Sequence, residues 1–183
     1  MTDGLKMLSL MNKRQSERKY TDQPVEKEKI DRIIEACRLS PSACNGQPWK
    51  IIVVDDPSMK LKVAEATKSD IFRMNTFVDM APLLLVVVRE KSNFTSRAGD
   101  LVKRRDYSLI DIGIATASIV YQAAAEGLGS CIIGWFDEKK IKRLLSIPGA
   151  KRVEVVITLG YADNPHRMKV RKATDEVVSY NKY

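Results

Sequence analysis

Little in this chain suits metal or disulfide chemistry. Its three cysteines, Cys37, Cys44 and Cys131, stand far apart in 183 residues. An odd number with no CxxC pair supplies neither a disulfide framework nor a thiolate metal cage, so free thiols are expected. One histidine, His166, and no HExxH leave no clustered ligand set. No metal site is expected, and metal-dependent hydrolysis is excluded. No Ser/His/Asp or Cys/His arrangement can be assembled, and nothing around His166 argues for a proton shuttle. Neither GxGxxG nor GxxxxGK[ST] occurs, which argues against Rossmann and P-loop nucleotide sites. Apolar runs such as residues 83–88 are far shorter than the ~18 residues of a membrane-spanning helix. The first residues lack a sustained hydrophobic stretch and a small-residue cleavage site, so a cytoplasmic protein without a membrane partner is expected.

What is present is an ordinary globular mixture, 44% hydrophobic and 30% charged. The length suits one domain over residues 1–183 with a real core. Lys and Arg number 31 against 23 Asp and Glu, a formal charge of +8. That excess admits nucleic acid, anionic membrane or small anionic ligands, but no residue pattern of a nucleic-acid module accompanies it, and no nucleic-acid partner is expected. Where the charges cluster matters more than their sum.

Residues 1–11 read as a short helix, followed by a basic stretch over residues 12–19. From Glu26 the apolar residues Ile30, Ile33, Ile34 and Cys37 recur at helical steps and end before Pro41. Trp49–Val54 reads as a buried strand bounded by Asp55-Asp56-Pro57, and residues 59–67 as a helix. Residues 81–88 read as a second buried strand, and residues 89–106 as a polar excursion, a mobile loop with some helix. Residues 107–126 are apolar on nearly every face and rich in small side chains, which predicts a helix buried all round and ended by Gly127 and Gly129. In so short a chain a second copy most easily covers such a helix, so a homodimer is expected; the alternative is that one domain surrounds it unaided. A short strand or loop over residues 130–136, a helix over 137–145 capped by Asp137, and a strong strand over 152–159 complete the body.

Two basic clusters, Arg14 with Arg18 and Lys169 with Arg171 and Lys172, stand beside hydrogen-bonding or strand-like sequence. Arginine forks pair with phosphate oxygens, lysine adds a point charge, and the Ser16 hydroxyl can donate to the same anion. Either cluster alone is equally consistent with a solvated face. Residues 14–20, RQSERKY, resemble the Arg-x-Ser-x-Arg-x-aromatic opening of nitroreductase-family flavoproteins, and residues 41–54, PSACNGQPWKIIVV, resemble their Pro-Ser-x-x-Asn-x-Gln-Pro-Trp segment. DIGIATASIVYQAAAEGLGSCIIGWF is similar to the family's central helix and the turn after it, and KVRK at residues 169–172 to its C-terminal basic motif. The match runs over about residues 7–178, in the family's order.

That resemblance implies an α+β sandwich, with a mixed, mostly antiparallel sheet flanked by helices, and FMN held without a covalent bond at a homodimer interface. Carried over by position, Arg14, Gln15, Ser16 and Arg18 would bind the phosphate, ribityl chain and pyrimidine end, with Lys169, Arg171 and Lys172 closing on the phosphate. Pro41, Ser42, Ala43, Asn45 and Gln47 would lie along the isoalloxazine ring from the facing subunit; read without the resemblance, this loop is an ordinary turn. Ile133 and Gly134 match positions whose backbone amides face the flavin N5 and O4, and glycine permits close approach there. Some relatives carry glutamate where this chain has Ile133, so only a backbone donor is available.

The implied reaction is ping-pong, with NADH or NADPH reducing FMN and a nitroaromatic, quinone or similar acceptor then taking its place. No catalytic side chain is required, because the flavin performs the bond chemistry. Residues 69–75 and 92–106 would form the lid that sets specificity, and the same fold also serves enones and halogenated tyrosines. Trp49 fits the core better than a stacking role, and Cys44 fits a small hydrophobe better than a redox group. A flavin carrier without turnover and a basic nucleic-acid-binding module are the rival readings, separated by steady-state NAD(P)H oxidation and by a colourless, salt-sensitive nucleic-acid complex respectively.

Overall fold

The computed structural model describes residues 2–69, 73–91, 106–162 and 164–183. Residues 70–72 of one segment assigned to the lid, and residues 92–105 of the other, which include the centre of the 89–106 excursion, lie outside them.

The chain opens with α1 (Asp3–Lys13), which has Asp3 in its first turn and Lys13 in its last, as the helix dipole favours. It buries no residue. Helix α2 (Lys27–Arg38) buries Ile33 and Cys37, four residues apart on one face. Strand β1 (Trp49–Val54) leads to α3 (Pro57–Glu65), which starts two residues before the expected 59 because Asp56 caps it and Pro57 occupies the first turn. The Asp56 Oδ1 accepts from Met59 N at 2.7 Å. Strand β2 (Leu83–Arg89), helix α4 (Tyr107–Ala125), strand β3 (Gly129–Ile133), helix α5 (Glu138–Leu144), strand β4 (Arg152–Gly160) and the short α6 (Thr174–Val177) follow. Asp137 caps α5 as its position suggests, accepting from Lys140 N at 2.9 Å.

The four strands form one sheet in the order β1-β2-β4-β3, every neighbouring pair antiparallel. A mixed sheet was expected; the parallel element among the described residues is an isolated bridge from Ser16 to Ser130. Central β2 is buried over residues 83–88 and alternates between the two faces. Leu84, Val86 and Val88 join Val63, Ala64 and Ile141 in a core beneath α3 and α5. Leu83, Leu85 and Val87 join Ile33, Cys37, Ile112 and Ile119 in a second core beneath α2 and α4. Helices therefore cover both faces of the sheet. Strand β1 corrects one expectation: it is half-exposed rather than buried, because it is an edge strand.

Helix α4 is covered by its own chain on one side only. Its nineteen residues match a membrane-spanning helix in length and composition, yet Ile112, Ala115, Ile119 and Ala123 pack on the sheet while Leu109 (47%), Ile110 (54%) and Ile114 (37%) remain exposed. One chain supplies only enough structure to cover one side, so α4 presents an uncovered apolar face. Gly127 ends it in a left-handed conformation, φ 77°, with Leu128 N donating to Ala123 O at 2.8 Å and Gly127 N to Ala124 O at 3.2 Å. Gly129, expected to share that role, instead begins β3, packed too closely against Glu17 for any Cβ. None of the three cysteines is in a disulfide, with Cys37 and Cys131 buried and Cys44 exposed.

Candidate functional site

After α1 the chain cannot continue helical, and residues 14–20 run along the free edge of β3. Ser16 bridges Ser130, and Glu17 N donates to Ser130 O at 3.0 Å. Tyr20 anchors the far end. Its buried hydroxyl lies 2.6 Å from Thr158 Oγ1 and donates to Glu17 O at 3.0 Å, and burial pushes its pKa well above the ordinary phenol value.

The C-terminal segment lies beside this strip, some 150 residues away in sequence. Glu17, nearly buried, accepts from Gln15 Nε2 at 2.7 Å and from Asn164 Nδ2 at 2.8 Å. Gln15 also donates to Pro165 O at 3.1 Å and accepts from Arg167 N at 2.9 Å. Arg167 Nη2 donates to Ser16 O at 2.6 Å, His166 Nε2 lies 3.1 Å from Asn12 O, and Lys169 Nζ donates to Arg14 O. These bonds bring the two basic motifs together. They also engage the Gln15 side chain within the chain, leaving its backbone as the group free to meet a ligand.

The electrostatics of the junction are one-sided. Arg14 Nε and Nη2 are buried and meet no hydrogen-bond partner. The Lys169 ammonium titrates below its ordinary range, first through desolvation and then through the positive charges of Arg171, Arg14 and Arg167. Buried guanidinium donors without partners are costly, and crowded cations repel one another. An anion with several oxygens would satisfy both, so the residues present fit a phosphate. Arg171 contributes charge here while its Nη1 donates to Val170 O at 2.7 Å, and Lys172 is exposed. Arg18 is also exposed, with its guanidinium 5.9 Å from the centre of the Phe77 ring.

The 41–47 loop hangs from the opposite side of α4's first turns. Ala43–Asn45 form a 3-10 turn, and Cys44, Asn45 and Gln47 take φ values of 50°, 52° and 44°. Ser42 Oγ accepts from Gln47 N at 3.0 Å, and Gln47 Nε2 donates to Asn45 Oδ1 at 3.0 Å. Pro41, Cys44, Asn45 and Gln47 face outward. The loop holds its own shape and presents polar groups away from its subunit. The hydrogen bonds of Ser42, Ala43 and Gln47 run within the loop and to Asp111 of α4, whereas those of the basic junction join residues 12–17 to residues 164–169. Trp49 is part-buried against the α2–α4 core, as expected.

The Ile133 side chain is buried, leaving its backbone as the group available to a ligand. Gly134 is exposed, and a Cβ built there would meet nothing within 4 Å. Neither backbone strain nor packing within the chain calls for glycine at 134, whereas close approach of a flat ligand would. A cavity of about 450 Å³ runs from Arg14 along α4, past Gly113, Thr116 and Val120, to Ile132 and Val155. A larger one, about 660 Å³, lies among Asp22, Val25, Ile30, Val53 and Pro57 and contains none of these residues. Among the described residues no group of three or more His, Cys, Asp or Glu could hold a metal ion.

Three contributors escaped sequence reasoning. Arg167 carried a signal, since it stands in the same basic run as Lys169. Asp111 carried one too, as the charged residue inside an apolar helix; its Oδ1 accepts from Ala43 N at 3.0 Å. Glu17 carried none.

Residues 11–161 match the model of the nitroreductase family. Among solved structures, the chain is similar to an FMN-dependent nitroreductase of Clostridium difficile R20291, with a TM-score of 0.78 and 29% identity over 96% of this chain and 99% of that one. Among curated proteins, it is 29% identical to an FMN reductase [NAD(P)H] of Bacillus subtilis over 72% of this chain and 55% of that protein. It is 24% identical to an iodotyrosine deiodinase of Thermotoga neapolitana over 98% of this chain and the whole of the relative.

Proposed function

The chain belongs to the nitroreductase family, and from that membership we propose that two copies hold FMN between them and pass electrons from NAD(P)H to a nitroaromatic, quinone or similar small acceptor. It is an FMN-dependent NAD(P)H oxidoreductase. The observation that carries the reading is the buried Arg14 guanidinium, unpartnered at Nε and Nη2 beside Lys169 and Arg167.

In this reading Arg14 and Lys169 hold the phosphate with charge-assisted bonds, and Arg171 and Arg167 add positive potential. Ser16 donates its hydroxyl, and Arg18 lies toward the ring. The Ile133 and Gly134 backbone gives a fixed donor at the redox-active edge, where a preformed dipole needs no reorganisation. Pro41, Ser42, Ala43, Asn45 and Gln47 of the facing subunit close over the ring. Bound FMN supplies the two-electron exchange that no side chain here carries. The exposed α4 face supports the dimer, because isolated soluble chains rarely leave such an apolar surface uncovered. Donor and acceptor use one slot in turn, which gives ping-pong kinetics.

The purified protein should be yellow, with absorption bands near about 370 and 450 nm. It should oxidise NADH or NADPH with menadione or nitrofurazone and give parallel double-reciprocal plots. A protein that stays colourless after incubation with FMN would sink the proposal. Similarity to the deiodinase supports a second acceptor class, halogenated aromatics, and halide release from iodotyrosine without nitrofurazone reduction would favour it.

A further inference from the structure

Helix α4 carries a single charged side chain, Asp111, in its nineteen residues. It is 3% exposed. Its Oδ1 accepts the Ala43 N–H at 3.0 Å, while its Oδ2 is buried and meets no hydrogen-bond partner. Burying a carboxylate costs more than one neutral amide donor returns. Its place on the helix therefore calls for a reason other than stability.

The loop it grips supplies one. Three non-glycine residues there, Cys44, Asn45 and Gln47, hold left-handed backbone conformations. Such a turn persists only when its surroundings over-determine it. Bonds among Ser42, Asn45 and Gln47 preserve the turn's internal shape, but they do not fix where it stands on the protein. Helix α4 contributes to that through Ser118 at the stem, which receives the Ser40 hydroxyl hydrogen at 2.8 Å, and through Asp111 at the turn itself, while past the other end Glu90 N donates to Pro48 O at 3.0 Å. The exposed apolar residues Leu109, Ile110 and Ile114 flank Asp111 on the same helix. One rigid element thus joins the loop to the surface proposed to meet the second copy.

We propose that Asp111 is a positioning residue for the redox site, fixing through the Ala43 N–H the distance of the 41–47 loop from the flavin ring held by the facing subunit. This rests on the reading that the loop closes over FMN across a dimer.

The test uses full-length, FMN-loaded protein. Asp111→Ala should weaken FMN and riboflavin binding by the same factor, roughly tenfold for one charge-assisted hydrogen bond. It should also alter the visible circular dichroism of the ring. Arg14→Ala, by contrast, should weaken FMN but not riboflavin, which has no phosphate. Asp111→Asn keeps an oxygen acceptor at Oδ1 without the charge and should recover part of the loss, falling between wild type and Asp111→Ala. Ala43→Pro removes the same N–H from the loop side, where the extended Ser42 tolerates a following proline, and should reproduce the loss without touching the buried helix.

A purified hybrid dimer of one Arg14→Ala and one Asp111→Ala subunit separates the subunits' roles. If the loop acts across the interface, both defects fall in one site, and the hybrid regains one intact site in two. Riboflavin binding unchanged in both Asp111→Ala and Ala43→Pro would overturn the proposal, as would Asp111→Asn impaired as badly as Asp111→Ala, or a hybrid with no intact site. The FMN reading would survive all three results; a wild-type protein that binds no flavin would overturn both.

Discussion

Arg14 stands between α1 and the edge of β3, its carbonyl held by Lys169 and two of its guanidinium nitrogens buried without partners. A residue in that state is poised for an anion. Arg14→Ala should therefore weaken FMN by about 10- to 100-fold, the loss of ~1.5–3 kcal/mol from a charged hydrogen bond. Arg14→Lys should fall between, since an ammonium keeps the charge but not the fork. Fluorescence titration of apoprotein with FMN measures both, and wild-type affinity in the alanine variant would remove the central argument for the phosphate site. Lys169 should respond to the same anion: its depressed pKa comes from desolvation and neighbouring cations, and a bound phosphate would raise it. The motif types picked out Arg14, Ser16 and Lys169 in the sequence as candidates for a phosphate, and the fold brings Lys169 to the Arg14 carbonyl. Glu17 was not legible, for its role depends on Gln15 and Asn164 arriving at its two oxygens.

At the scale of elements, α4 shows how local and non-local causes divide. Its span was legible from composition, and its stop was legible as Gly127, whose φ of 77° closes the terminal hydrogen bonds. A Cβ at 127 would meet no neighbouring atom, so Gly127→Ala should cost about 1 kcal/mol through the backbone alone. Urea denaturation of the two proteins tests this; equal midpoints would contradict it. Its own chain covers one side and leaves Leu109, Ile110 and Ile114 exposed, the kind of face for which its composition implied a second copy. Strand β1 is where the expected burial failed. A run of β-branched residues specifies a strand, while its place at the sheet edge depends on β2 and β4 pairing with each other.

For the whole molecule, the proposed second copy would bury the uncovered side of α4 and the outer side of α1, where Leu5 and Leu8 are 55% and 62% exposed. Ile110→Asp, which sets a charge in the centre of that face, should shift the protein from dimer to monomer in sedimentation velocity. FMN should leave with it, because the basic junction and the 41–47 loop would no longer meet. A dimer retaining FMN would show that the interface lies elsewhere.

By itself the sequence determined the main helices and strands, the helix cap at Asp137, and the chemical type of ligand. Those follow from periodicities and preferences that act over a few residues. Only the tertiary structure decided that Lys169 reaches the Arg14 carbonyl across 155 positions and that Asp111 grips Ala43 across 68. Such meetings are set by how whole elements pack, a global outcome that local sequence patterns do not encode.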